Sequence, residues 1–128
     1  MAVQYSSDLY TTHQEFFTIF MQSKLGRRMV RIFPPMSTCF AIRVTDGDDV
    51  PWIIQIESNC LTHVDTQGPK PLCTFVMDME TLVEVAGGYR NPQQAYYEFL
   101  IELEGDVEES MRIALLMEAF FKRHPFCG

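Results

Sequence analysis

"METLVEVAGGYRNPQQAYYEFLIELEGD", residues 79–106, holds several closely spaced boundaries between helices and strands, each with its own chemical signal. Asp78, which directly precedes the stretch, is a residue type that caps helix N-termini. Gly87 and Gly88 suit the left-handed conformation in which helices commonly end. We therefore predict a short helix that begins after Asp78 and ends at Ala86.

A second short helix is predicted to follow. Asn91 is a favoured N-cap, Pro92 suits the first helical position, and Gln94 stands at the capping-box position. This helix is expected to end near Glu98. No known catalytic motif occurs in either helix.

Residues 99–105 alternate between an apolar set and a mostly charged set of side chains. The apolar set is Phe99, Ile101 and Leu103, and the other set is Leu100, Glu102 and Glu104. A period of two residues predicts a strand with one face in water. A last helix then begins at Asp106, which is its predicted N-cap, with Glu109 at the capping-box position. Positive charges that suit the carboxyl end of its dipole are supplied by Lys122, Arg123 and His124.

The first half of the chain predicts one helix and three strands. The helix runs from Thr12 to Leu25, and Gly26 suits its left-handed stop. Alternating apolar residues then predict strands around Phe40–Val44, Trp52–Ile56 and Cys73–Met77. Residues 45–49, TDGDD, join the first two as a hairpin. The resulting order α, β, β, β, α, α, β, α predicts an α+β fold with a mixed sheet.

The length and composition predict a single domain with a real core. The chain has 128 residues, of which 47% are hydrophobic, and carries ten Phe and eight Met. Such a composition favours a filled core, although Met-rich surfaces can also line an adaptable cavity. The net charge of −7 argues against nucleic-acid binding and against docking on anionic membranes. No signal peptide or membrane-spanning run is evident, so we expect a cytoplasmic protein without a stable membrane anchor.

The letters of the second half resemble the sterol carrier protein 2 family (SCP-2-like domains). The matching features are DMETLVEVAGG (78–88), NPQQAY (91–96), the strand of Ile101 and Leu103, Gly105-Asp106 and the closing apolar helix. The first half resembles the family more loosely, through TDG (45–47) and Trp52. The likeness extends over roughly residues 10–122 of one domain that spans residues 1–128.

The resemblance implies a five-stranded mixed sheet covered on one face by helices, with an apolar tunnel for lipids. The fifth strand is expected either within residues 60–68 or near Ile32. Family members usually have glycine where this chain has Phe99, so Phe99 is expected to reduce or reshape the tunnel. Glu102 and Glu104 replace lysines that are common in the family strand, which weakens any inference of docking on anionic membranes.

The resemblance also implies a ligand site between the last helix, the helix of residues 79–86 and the sheet. The predicted ligand-binding residues are Trp52, Ile54, Phe75, Met77, Leu82, Val85, Phe99, Met111, Leu115 and Phe120. We expect non-catalytic binding of an elongated hydrophobic molecule, such as a lipid, an isoprenoid or a polyketide-like compound. Burial of apolar surface suffices for such binding. No cofactor is expected, and a partner protein or a homodimer is left open.

The sequence leaves two alternatives to a carrier open. A small enzyme or accessory protein could fold, cyclise or isomerise the same ligand, with Asp78, Glu57 or Tyr96 as a weak candidate acid or base. A protein-interaction module with a filled core is the other alternative. Zinc binding would require two distant Cys–His pairs to converge, so no metal site is predicted.

Overall fold

The computed structural model describes residues 17–28, 34–47 and 49–126. Within these ranges, five strands form one mixed sheet with the order β3-β2-β1-β4-β5. The strands are β1 (Thr38–Val44), β2 (Trp52–Glu57), β3 (Cys60–Asp65), β4 (Cys73–Met77) and β5 (Glu102–Gly105). β1 runs parallel to β4, and the other neighbouring pairs are antiparallel. The predicted α+β fold is confirmed, and the fifth strand is β3, within residues 60–68.

Within the described residues, four helical segments accompany the sheet. The described part of α1 covers residues 17–22. The other helices are α2 (Met79–Ala86), α3 (Pro92–Tyr97) and α4 (Val107–Arg123). The predicted start of α1 at Thr12 lies outside the described residues. Its predicted end at Leu25 is three residues late, because turns with i→i−3 hydrogen bonds, such as Lys24 N–H to the Met21 carbonyl at 3.0 Å, replace the helix. Gly26 then has the expected positive φ of 77°.

Side-chain oxygens close the N-termini of the three later helices. Asp78 accepts a hydrogen bond from the Thr81 N–H at 2.8 Å. Asn91 and Asp106 accept equivalent bonds from the Gln93 N–H at 2.8 Å and the Glu109 N–H at 2.9 Å. Each bond satisfies a donor that a helix start would otherwise leave unpaired. All three predicted caps are therefore confirmed.

β5 is shorter than the predicted strand of residues 99–105. The chain is still closing α3 at this point, because the Phe99 N–H bonds the Tyr96 carbonyl and the Leu100 N–H bonds the Ala95 carbonyl. Phe99 also has a φ of +63°, which is incompatible with an extended strand. Regular pairing with β4 therefore begins only at Glu102.

The alternation of side chains along β1 divides the sheet into two faces. Phe40 and Ile42 lie on the inner face, in register with Cys73 and Phe75 of β4. The rings of Phe40 and Phe75 meet edge to face with their centroids 5.8 Å apart. This geometry is favourable for aromatic pairs and provides a rigid apolar floor beneath the helices.

An aromatic cluster holds α1, α4 and the end of the described chain together. The ring of Phe17 lies 6.3 Å from that of Phe121 and 5.5 Å from that of Phe126. Phe20 contacts Phe120 at 6.3 Å in the same cluster. The segment after α1 also reaches β3, where the Gly26 N–H donates to the Leu61 carbonyl at 2.6 Å. These contacts fix the carboxyl half of α4 over the sheet.

Two glycines with positive φ provide a matched test of the fold. Gly105 has a φ of +98°, and a Cβ there would lie 2.5 Å from the Leu72 carbonyl oxygen. Gly26 has a φ of +77° but no atom within 4 Å of an added Cβ. We expect Gly105→Ala to lower the free energy of unfolding by about 3 kcal/mol and Gly26→Ala by about 1 kcal/mol, measured by urea denaturation. Equal losses would show that the Leu72 contact does not constrain β5.

Candidate functional site

A small cavity lies between the inner face of the sheet and the helices. Its walls are formed by the sheet residues Phe40, Ile42, Phe75 and Met77, the helical residues Leu82, Val85, Pro92, Ala114, Met117 and Phe121, and Ile101 before β5. Every one of these side chains is apolar. The cavity therefore offers a ligand only van der Waals contact and burial from water.

The spacing of residues in α4 directs one apolar arc into this cavity. Ala114, Met117 and Phe121 follow one another at intervals of three and four residues, which places them on one side of a helix. α2 contributes Leu82 and Val85 by the same rule. Pro92 is the first residue of α3, where its ring needs no hydrogen bond and can face the apolar interior.

The cavity is small in this structure, with a volume of about 30 Å³. Binding sites for small molecules commonly have volumes of about 300–1,000 Å³. The expected apolar tunnel is therefore not present at full size, because the side chains of the sheet and α4 fill most of the space between them.

The structure brings together some of the ten predicted ligand-binding residues. Those that line the cavity are Phe75, Met77, Leu82 and Val85. Ile54 and Phe120 are fully buried in the core beside it. Trp52 and Met111 are partly buried and do not line it. Whether any of these residues contacts a ligand remains a prediction.

The expectation that Phe99 narrows the internal space is wrong for this structure. The side chain of Phe99 is 91% exposed and lies outside the cavity. The cause is its positive φ of 63°, which turns the chain outward between α3 and β5. A glycine at this position is explained by the same backbone geometry, since glycine adopts positive φ without steric cost.

The predicted interior face of α4 is also wrong at Leu115, which was expected to face the ligand site. Leu115 is 56% exposed, whereas Leu116 is fully buried. Consecutive helical residues point about 100° apart, so Leu115 and Leu116 face different directions, and Leu116 is the one that is turned to the interior. Both fit the broad apolar arc of the sequence, and the packing of Ala114 and Met117 decides between them.

The cavity-lining residues that were not among the ten predicted ones lie on β1, on α3, directly before β5 and on α4: Phe40, Ile42, Pro92, Ile101, Ala114, Met117 and Phe121. Phe40 and Ile42 belong to a correctly predicted strand, and their alternation already indicated a buried face. Their place in the cavity depends on the parallel pairing of β1 with β4, which no local signal reveals. Ile101 also lines the cavity, and it directly precedes β5.

The three weak candidates for acid–base chemistry lie outside the cavity. Asp78 caps α2, and Glu57 accepts a hydrogen bond from Gln55 at 3.2 Å. Asp78 follows β4 and Glu57 ends β2, so the two residues lie near opposite ends of the neighbouring strand β1. The seven residues of β1 extend roughly 20 Å. Tyr96 lies on α3, with its ring 5.6 Å from that of Tyr97. These positions do not bring the three side chains together as a catalytic group.

Other reactive side chains, among them Cys73 and His124, have pKa values shifted mainly by burial. Burial raises the pKa of the Cys73 thiol, which lowers its fraction of nucleophilic thiolate. Burial lowers the pKa of His124 at the end of α4, and the positive charges of Lys24, Arg123 and Arg27 act in the same direction. Neither side chain lines the cavity. Among the residues that the structure describes, no group of three or more His, Cys, Asp or Glu is arranged to hold a metal ion.

A second and larger concavity lies beside β5, which is the last strand of the sheet within the described residues. We call it the β5 groove, and its lining residues are Tyr96, Tyr97, Phe99, Ile101, Glu102 and Leu103. Its volume is about 540 Å³. The aromatic rings come from α3 and the turn after it, and the remaining side chains come from the start of β5. The groove therefore exists because α3 ends beside an edge strand.

The sequence profile of the SCP-2 sterol transfer family matches residues 33–118, which is more than half of the chain. No curated protein is significantly similar to the chain. Within residues 17–28, 34–47 and 49–126, no helix has the length and hydropathy that crossing a membrane requires.

Solved structures share the fold at low sequence identity. A crystal structure of sterol carrier protein 2 is 13% identical, with a TM-score of 0.58 over 89% of this chain and 95% of that chain. Sterol carrier protein 2 like 2 from Aedes aegypti is 14% identical, with a TM-score of 0.54 over 80% of this chain and 93% of that chain. At these identities the likeness shows the fold alone.

The fold also occurs as part of a larger enzyme. The stereoselective inverting sec-alkylsulfatase Pisa1 from Pseudomonas sp. is 18% identical, with a TM-score of 0.51 over 62% of this chain. This chain spans only 13% of the length of that sulfatase.

Replacement of Phe99 tests the origin of its exposure. We expect Phe99→Gly to raise the free energy of unfolding by about 1 kcal/mol, because glycine removes the cost of a left-handed backbone. Phe99→Ala keeps that cost while removing the ring, so it serves as the control. Urea denaturation should show a gain for glycine and none for alanine. A loss of stability in both variants would show that the ring contributes packing.

Proposed function

Because this chain belongs to the SCP-2 sterol transfer family, we propose that it binds an elongated hydrophobic small molecule between its sheet and its helices. The ligand is a lipid, an isoprenoid or a polyketide-like compound, and the protein carries or presents it without changing it. The observation that supports this proposal most is the wholly apolar lining of the cavity.

The energetics of burial support such a role without any catalytic group. Removal of apolar surface from water contributes about 25 cal/mol per Å². A chain of several methylene groups therefore gains substantial free energy in a site that has no polar contacts. The walls contributed by α2, α4 and the sheet are of this kind.

The binding of an elongated ligand requires the cavity to expand. Its present volume of about 30 Å³ accepts no more than a small fragment of a lipid. Met77 and Met117 stand on opposite walls, one on β4 and one on α4. Methionine is unbranched and repacks at low cost, so these two side chains are the ones that yield to a ligand.

The alternative of an enzyme that folds and cyclises its ligand has less support. No titratable side chain lines the cavity among the described residues. Asp78 and Glu57 have capping and surface positions. A role in presenting a ligand to a partner protein, or as a homodimer, is compatible with carriage and stays a prediction.

Shortening of Met117 tests the cavity directly. We expect Met117→Ala to bind the neutral fluorescent probe N-phenyl-1-naphthylamine roughly tenfold more tightly than the unmodified protein, because the shortened side chain enlarges the cavity and fewer packed side chains must move to admit the probe. Fluorescence titration measures the affinity. Leu115→Ala is the matched control, since Leu115 lies on the same helix but is 56% exposed.

The affinity of Leu115→Ala should equal that of the unmodified protein. Equal affinities for all three proteins, or stronger binding by Leu115→Ala, would place the probe elsewhere and count against the cavity as the binding site.

A further inference from the structure

The β5 groove and the internal cavity share one wall. Ile101 lines both spaces, and its side chain is only 2% exposed. The two spaces are therefore neighbours, with this residue between them. The groove has a volume of about 540 Å³ and the cavity about 30 Å³, so the groove alone is already of the size that small molecules occupy.

The outer wall of the groove presents apolar surface to solvent. Tyr97 is 71% exposed and Phe99 is 91% exposed. Phe99 also holds a positive φ of 63°, which is uncommon for a bulky residue. The exposed rings offer flat surfaces on which a hydrocarbon chain can lie.

The charge of the groove comes from a single lining residue, Glu102. Within the described part of the chain, neither Lys nor Arg forms an ion pair with Glu102, whereas Glu104 lies 3.7 Å from Arg43. Glu98, which ends α3, is bound to Arg90 at 3.0 Å. An anionic headgroup in the groove would therefore meet one uncompensated negative charge. A hydroxyl headgroup would not be repelled by this charge, and a cationic headgroup would be attracted to it.

We infer that the β5 groove and the cavity are two halves of one ligand site joined through Ile101, and that the groove selects apolar molecules whose polar end is uncharged or cationic. The inference rests on the proposed function and specifies its ligand. The hydrocarbon chain lies against Tyr97 and Phe99, and one end displaces the Ile101 side chain to reach Met117. The polar end stays beside Glu102.

Three probes with the same twelve-carbon chain test the selection. They are dodecanoate, 1-dodecanol and dodecyltrimethylammonium, each titrated below its aggregation concentration and followed by methyl NMR. We expect dodecanol and dodecyltrimethylammonium to bind roughly fivefold more tightly than dodecanoate at neutral pH and low salt. Their binding should shift the methyl resonances of Ile101 and Leu103 in the groove and of Met117 in the cavity.

Two surface variants separate the contribution of Glu102 from general electrostatics. Glu102→Gln should bring the affinity for dodecanoate to within about twofold of the affinities for the other two probes, because the substitution removes the uncompensated charge. Glu104→Gln changes the net charge equally but lies outside the groove lining, so it should leave the preference unchanged. Both positions are exposed, and neither substitution removes buried surface.

Any one of three results would overturn the inference while leaving the proposed function in place. The first is equal affinities for the three probes, and the second is equal effects of Glu102→Gln and Glu104→Gln. The third is a shift of the Met117 methyl resonance without any shift at Ile101 or Leu103. Failure of all three probes to bind either space would contradict the proposed function as well. The two proposals can therefore fail separately.

Discussion

The packing of α4 on the inner face of the sheet is the interaction on which the rest of the structure depends. Ile113, Leu116 and Phe120 are almost completely buried in this contact. The parallel pairing of β1 and β4 supplies the floor, where Phe40 meets Phe75 edge to face. The aromatic cluster with α1 secures the carboxyl half of α4. Any ligand that enters between these layers must compete with side chains that already contact one another.

This competition explains why the apolar lining of the cavity favours a hydrocarbon ligand, whereas the volume of the cavity is too small for one. The lining is suited to hydrocarbon, yet the cavity of about 30 Å³ is far smaller than common binding sites for small molecules. The space that is large enough lies outside, along β5, and is separated from the interior by Ile101. Displacement of a few flexible side chains would unite the two spaces. Under the proposed function, carriage of a ligand would depend on local repacking of Met and Ile side chains and not on a preformed tunnel.

Much of the fold was predictable because its signals are local. Asp78, Asn91 and Asp106 cap their helices through short hydrogen bonds to nearby backbone, and such bonds depend only on neighbouring residues. The neighbour relations of the strands were not predictable in the same way. The contact of Phe40 with Phe75 joins residues far apart in sequence, and Leu115 and Leu116 differ only in their surroundings. Phe99 was misplaced because its left-handed backbone is a property of the turn and not of phenylalanine.

Native mass spectrometry of the protein purified from its own host tests most directly whether this packing opens for a ligand. We predict a complex heavier than the bare chain by the mass of one hydrophobic molecule, which is released when the protein unfolds. A spectrum that contains only the bare chain, together with an organic extract free of any such molecule, would contradict a carrier role.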